Sequence, residues 1–171
     1  MHRDDEFETL SDADPGPSPR SGPSLKARAI GFLSRREYSR RELQRKLAPH
    51  AQDPDELEAL LDGLERENWL SNERFAQSLV NRRAQRQGAQ RIVQELRQHG
   101  LAENVIQDAE QRLHGTERQR ATEIWEKKFG RPPRDAKDYA RQFRFMASRG
   151  FSTELIRRLL GRVPSGHGPD E

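Results

Sequence analysis

The stretch Val93-Gln94-Glu95-Leu96-Arg97-Gln98-His99-Gly100-Leu101-Ala102-Glu103-Asn104-Val105-Ile106-Gln107-Asp108-Ala109 returns in outline as Phe143-Arg144-Phe145-Met146-Ala147-Ser148-Arg149-Gly150-Phe151-Ser152-Thr153-Glu154-Leu155-Ile156-Arg157-Arg158-Leu159. At a constant offset of 50, Val93, Leu96, Gly100, Leu101, Val105, Ile106 and Ala109 fall on Phe143, Met146, Gly150, Phe151, Leu155, Ile156 and Leu159. Apolar residues at three and four spacings on each side of a Gly read as two amphipathic helices, with the Gly in the left-handed conformation that ends the first. The pattern extends upstream. At an offset of 49, Leu43, Leu47, Leu57, Leu60 and Leu64 fall on Ile92, Leu96, Ile106, Ala109 and Leu113, although Ala48-Pro49-His50-Ala51-Gln52 stands where the Gly turn would be. Each unit opens with a small-apolar helix: Ala29 to Leu33, Ala76 to Val80, and Ala121 to Trp125.

An all-α protein follows: three tandem three-helix repeats in an elongated, curved array whose units complete one another's cores. The expected divisions are residues 25–73, 74–117 and 118–163, with tails at 1–24 and 164–171. Asp14-Pro15-Gly16-Pro17-Ser18-Pro19 cannot build a helix, and the last eight residues read likewise. Helix starts are marked by Ser39-Arg40-Arg41-Glu42 and Thr116-Glu117-Arg118-Gln119, which fit a capping box, and by Asp53-Pro54. Trp69, Phe75, Trp125, Phe143 and Phe151 fall on apolar stripes and are expected in the core.

The 171 residues carry 31 Lys and Arg against 28 Asp and Glu. Without the tails the balance is 29 to 20, and it alternates along the chain. Residues 26–50 hold eight bases and two acids, 51–73 one and eight, 74–100 six and one, 101–117 one and four, and 118–163 thirteen and five. Arg36 with Arg40, Arg41 with Arg45, and Arg82 with Arg86 stand one helical turn apart, where like charges repel unless an anion neutralises them. Arg36, Arg40, Arg41, Arg45, Arg82, Arg83, Arg86, Lys127 and Lys128 are therefore the candidate contacts to nucleic acid or to a partner's carboxylates. Internal salt bridges to the acidic helices are the competing use of the same side chains. Reversing Arg40 and Arg41 to Glu is expected to weaken binding and leave the fold intact.

Catalysis has no candidate. With no cysteine there is no disulfide, thiolate zinc site or cysteine nucleophile. His2, His50, His99, His114 and His167 make no metal-holding pair on a helix face, and His99 is expected at a helix C-terminus. Neither a phosphate-binding loop nor a dinucleotide fingerprint is present, so no cofactor is expected. Met1 to Leu10 carries four acids and no apolar run, unlike a secretory signal, and no membrane span is evident. A soluble, cytoplasmic monomer is expected.

The most specific signature is Asn68-Trp69-Leu70-Ser71-Asn72-Glu73-Arg74-Phe75-Ala76, followed by Arg83 and then Gly88-x-x-Arg91-Ile92-x-x-Glu95-Leu96-x-x-x-Gly100-Leu101. It resembles the bacterial RecX regulatory proteins, and the likeness runs from about Leu25 to Val163, with Ala121-x-x-x-Trp125-x-x-x-Phe129 agreeing. The resemblance implies a modulator of the RecA recombinase that binds the RecA filament on single-stranded DNA and mostly inhibits its strand-exchange, ATPase and coprotease activities. A free-standing DNA-binding protein of helix-turn-helix type and a helical protein-binding scaffold are the alternatives. Asn72-Glu73 departs from the two acids common in the family, a small change because Asn caps helices as well as Asp does. Phe75, Gly88, Ile92, Leu96 and Gly100 read as structural.

Overall fold

The computed structural model describes residues 22–164, so of the expected tails, 1–24 and 164–171, residues 1–21 and 165–171 lie outside the described residues. The described residues form eight α-helices: α1 Leu25–Leu33, α2 Arg40–Leu47, α3 Pro54–Arg66, α4 Asn72–Arg83, α5 Ala89–Gln98, α6 Glu103–Lys128, α7 Ala136–Ser148 and α8 Thr153–Leu160. Among the described residues there is no strand.

Local chemistry sets most boundaries. Ser24, Ser39, Asp53, Ser71, Asp135 and Ser152 accept hydrogen bonds from backbone N–H groups at the starts of α1, α2, α3, α4, α7 and α8. Gly100 and Gly150, at φ +71° and +86°, end α5 and α7 as expected. A short 3-10 turn, Ala48–His50, replaces the missing Gly turn of the first unit. The box at Ser39 is half formed: Ser39 Oγ accepts the Glu42 N–H at 3.1 Å, while the Glu42 carboxylate turns to Arg36.

The second expected box is overturned. Thr116 and Gln119 lie inside α6, a single 26-residue helix that serves as the third helix of the second unit and the first of the third. Leu113, Glu117 and Ala121 are buried in succession across the expected boundary, so packing continues where capping residues alone suggested a break. Glu117 meanwhile caps another helix: its Oε1 accepts the Ala89 N–H at 2.9 Å, at the start of α5, where Gly88 has no side chain to do so.

Three apolar clusters form, one per unit. Ala29, Tyr38, Leu43, Leu47, Leu57, Leu61, Leu64 and Leu70 make the first. Phe75, Leu79, Ile92, Leu96, Val105, Ile106 and Leu113 dominate the second. Ala121, Met146, Phe151, Ile156 and Leu160 make the third, with Trp125 and Phe143 partly buried against it. The units thus have their own cores, where they were expected to complete one another's, and polar contacts join them. Ser39 Oγ lies 3.1 Å from His99 Nδ1, Asn72 Oδ1 accepts the Arg40 N–H at 3.1 Å, and Arg41 Nη1 donates to the Gln98 carbonyl at 3.1 Å. Asn72 therefore serves the start of α2 rather than its own helix, which Ser71 caps.

Backbone approach closes the joint between the second and third units. The Gly88 N–H donates to the Arg149 carbonyl at 2.8 Å, and a Cβ on Gly88 would lie 2.3 Å from the Gly150 oxygen. Only glycine permits that contact. Arg120, half-buried on α6, donates to the Ala84 and Gln87 carbonyls at 3.1 and 2.8 Å and so ties the α4–α5 loop down. Burial pulls its guanidinium below the ordinary arginine range, against the opposing charge of Glu117.

One core expectation fails. Trp69 is 45% exposed, whereas Leu70 is buried. Asn68 at φ +59° ends α3, and both Trp69 and Leu70 N–H groups return to the Leu64 carbonyl. This tight reversal turns Leu70 inward and leaves the indole outside.

Candidate nucleic-acid and partner interface

The nine candidate cations divide into two groups by what they touch. Arg40 is the most heavily engaged: it reaches Glu58 and Asp62 at 2.7 Å and Glu65 at 2.8 Å, all on the acidic α3. Burial opposes its charge, but hydrogen bonds to Glu58 and Asp62 and the surrounding carboxylates outweigh that and raise its pKa. Arg36 pairs with Glu42, donates to the Glu37 carbonyl at 3.0 Å, and lies 3.7 Å from the centre of the Tyr38 ring. Burial works to raise the Glu42 carboxyl, yet the Arg36 hydrogen bond and charge hold it below the usual range. Arg83 forms a two-pronged bridge to Glu95 at 3.1 and 2.9 Å, which raises its own pKa.

The rest are available. Arg41 and Arg82 bond only to backbone carbonyls, of Gln98 at 3.1 Å and Ser78 at 3.3 Å, and both remain exposed. Arg45, Arg86 and Lys127 are exposed and have no side-chain hydrogen bond or ion pair among the described residues. Lys128 lies 5.7 Å from the centre of the Phe145 ring. Helical spacing placed only Arg41 with Arg45 correctly, since Arg36 lies in the loop before α2 and Arg86 in the loop after α4, and it could not separate the two groups, because α3 is brought against α2 only by folding. Removal of Arg40 would leave three carboxylates facing one another, so reversing Arg40 and Arg41 would also disturb the fold.

Two features escaped the sequence reading. A groove of about 700 Å³ runs along α5, lined by Gln90, Gln94 and Gln98 and by Ala147, Ser148 and Gly150. The fourfold spacing of these Gln residues was legible, but not the residues that line the groove with them. Buried at its edge, Gln87 Oε1 has no hydrogen-bond partner among the described residues. The second feature is in the third unit, where Phe129 and Phe145 meet edge-on at 5.3 Å with Lys128, Arg141 and Arg149 over their rings. Neither Phe belongs to the stripe residues expected in the core.

His99 ends α5, as expected, and its ring also packs on Phe75 at 4.7 Å. His114 lies 3.6 Å from Glu110 and 3.3 Å from Glu117. Among the described residues no group of three His, Asp or Glu side chains could hold a metal ion, and no helix is long and apolar enough to cross a membrane.

Comparison with known proteins agrees with the three-unit layout. Family models described as the first, second and third three-helix domains of RecX match residues 26–64, 71–109 and 116–160. Regulatory protein RecX of Ralstonia nicotianae is 55% identical over 142 residues, covering 83% of this chain and 89% of that protein. The same-named protein of Ralstonia pickettii is 54% identical, covering 84% and 91%, and that of Neisseria meningitidis is 38% identical, covering 80% and 89%. The crystal structure of RecX from Lactobacillus salivarius superposes with a TM-score of 0.66 at 18% identity, over 79% of this chain and 91% of that one, which shows a shared fold. These relatives are named as regulatory proteins. With matches to all three family domains and this identity over most of its length, the chain belongs to the RecX family.

Proposed function

We propose that this protein regulates the RecA recombinase by binding the RecA filament on single-stranded DNA in the cytoplasm, and that it mostly inhibits the filament's strand-exchange, ATPase and coprotease activities. Membership of the RecX family carries this reading. Support comes from the cations that have no ion pair among the described residues: Arg45 in the first unit, Arg82 and Arg86 in the second, Lys127 and Lys128 in the third. Such side chains suit DNA phosphates and RecA carboxylates. Arg41 contributes in part, while Arg36, Arg40 and Arg83 hold the basic face in shape through internal carboxylates. The protein acts by occupancy, blocking filament growth or the access of partners, and performs no chemistry of its own.

The test is RecA ATP hydrolysis on single-stranded DNA with this protein titrated in at substoichiometric ratios. A progressive fall in rate is expected, and Arg86→Glu should reduce it. An unchanged rate, with tight binding to duplex DNA in the absence of RecA, would replace this reading with the free-standing DNA-binding one.

A further inference from the structure

A further group of cations, only one of them ion-paired among the described residues, lies outside the nine candidates. Arg131, Arg134, Lys137, Arg141 and Arg144 line one cavity of about 280 Å³, beside the loop that leads into α7. Two carboxylates share that surface, and both are committed. Asp135 accepts the Asp138 N–H at 2.7 Å, and Asp138 is taken by Arg141 at 2.6 Å, by Gln142 and by the Arg134 N–H. The side chains of Arg131, Arg134, Lys137 and Arg144 have no hydrogen bond or ion pair among the described residues. The first unit is the contrast, where Arg40 alone meets three carboxylates.

We propose that this face of the third unit holds the phosphate backbone of a single-stranded nucleic acid. Lys137, Arg141 and Arg144 are spaced four and three residues apart on α7, so they share one helix face over about 10 Å at the helical rise of about 1.5 Å per residue. An extended polyanion matches such a row better than a compact anion does. The single-stranded form is favoured by the partly exposed Phe129, whose ring centre lies 5.6 Å from Arg141, while Phe145 beside it packs against the third core. Unpaired bases can rest on aromatic rings beside a basic track, which stacked and paired bases cannot do. The inference rests on the nucleic-acid half of the function proposed above and adds to it a site on α7.

Fluorescence anisotropy of a labelled thymidine oligonucleotide, titrated with the full chain across a potassium chloride series, tests the site. The double variant Lys137→Gln/Arg144→Gln changes only exposed side chains and should fold, as circular dichroism would verify. Each lost contact to a single-stranded phosphate should flatten the slope of log affinity against log salt by about 0.7, so the double variant should flatten it by about 1.4. A matched variant on α8, Arg157→Gln/Arg158→Gln, should keep the wild-type slope. A wild-type slope in the α7 variant, or an equal change in the α8 variant, would overturn the α7 site and leave the proposed function standing. Tighter binding to a duplex of equal length would overturn the single-stranded assignment. Failure of the wild-type chain to bind the oligonucleotide would overturn both this site and the direct DNA contact in the proposed function.

Discussion

Arg41 of α2 donates from Nη1 to the backbone carbonyl of Gln98 at 3.1 Å, and so closes the C-terminal end of α5 in the next unit. A similar joint recurs one unit further on: Arg91 Nη1 donates to the Ser148 carbonyl at 2.7 Å, at the end of α7. A guanidinium near the unpaired carbonyls of a helix C-terminus satisfies an orphan acceptor and faces the favourable end of the helix dipole. Arg41→Ala and Arg91→Ala should each cost about 1 kcal/mol or less, since both side chains are exposed. The two losses should add in chemical denaturation because the joints share no partner.

Arg40 stabilises the first unit by separating three carboxylates. Arg40→Met should destabilise it by about 1–2 kcal/mol, a figure discounted for the partial exposure of Glu58, Asp62 and Glu65. Adding Glu58→Gln and Asp62→Asn should restore part of the loss, because the remaining repulsion disappears. Thermal melts of the single and triple variants would show it, and a triple variant no more stable than Arg40→Met would assign the loss to packing of the side chain.

Two glycines should respond in opposite directions. Gly88→Ala sets a methyl 2.3 Å from the Gly150 oxygen, where backbone must move, so the joint between the second and third units should open. A loss above about 3 kcal/mol and faster proteolysis between α7 and α8 are expected. Gly115 lies inside α6 with open space around it, so Gly115→Ala should stabilise the chain by about 0.5–1 kcal/mol.

Acid should loosen the joint at His99. Burial holds its imidazole below the ordinary range; Arg45 and Arg36 act the same way, and Glu42 and Glu95 oppose them. The Ser39 hydroxyl accepts the Glu42 N–H, which leaves its own proton for His99 Nδ1. As pH falls through about 6.5 the unfolded chain takes up the proton first, so this contribution is complete above that pH and is lost below it. Melting temperatures between about pH 7.5 and about pH 5.5 should therefore fall less steeply in His99→Gln than in the wild-type chain.

The repeat, the helix class and the positions of the cores were legible because they are local or periodic. Leu43, Leu47, Ile92, Leu96, Met146 and Ile156 are all buried where three and four spacing put them. Caps at Ser39 and Asp53 and turns at Gly100 and Gly150 were equally legible, since each depends on a few neighbouring residues. Thr116 shows the limit: its capping pattern is correct in form, but burial on both sides keeps α6 continuous. Trp69 shows another, since one residue of turn geometry decides whether the indole or Leu70 points inward.

The sequence by itself determined which residues are apolar, which are charged and at what period each returns, and those fix an array of helical units with a basic surplus. Only the tertiary structure decided which charges remain free. Arg40 and Arg144 look alike in the chain, yet α3 brings three carboxylates to the first and none of the described residues brings one to the second. A charge is neutralised by what lies within a few ångströms in space, and for Arg40 those groups are 18 to 25 residues away along the chain.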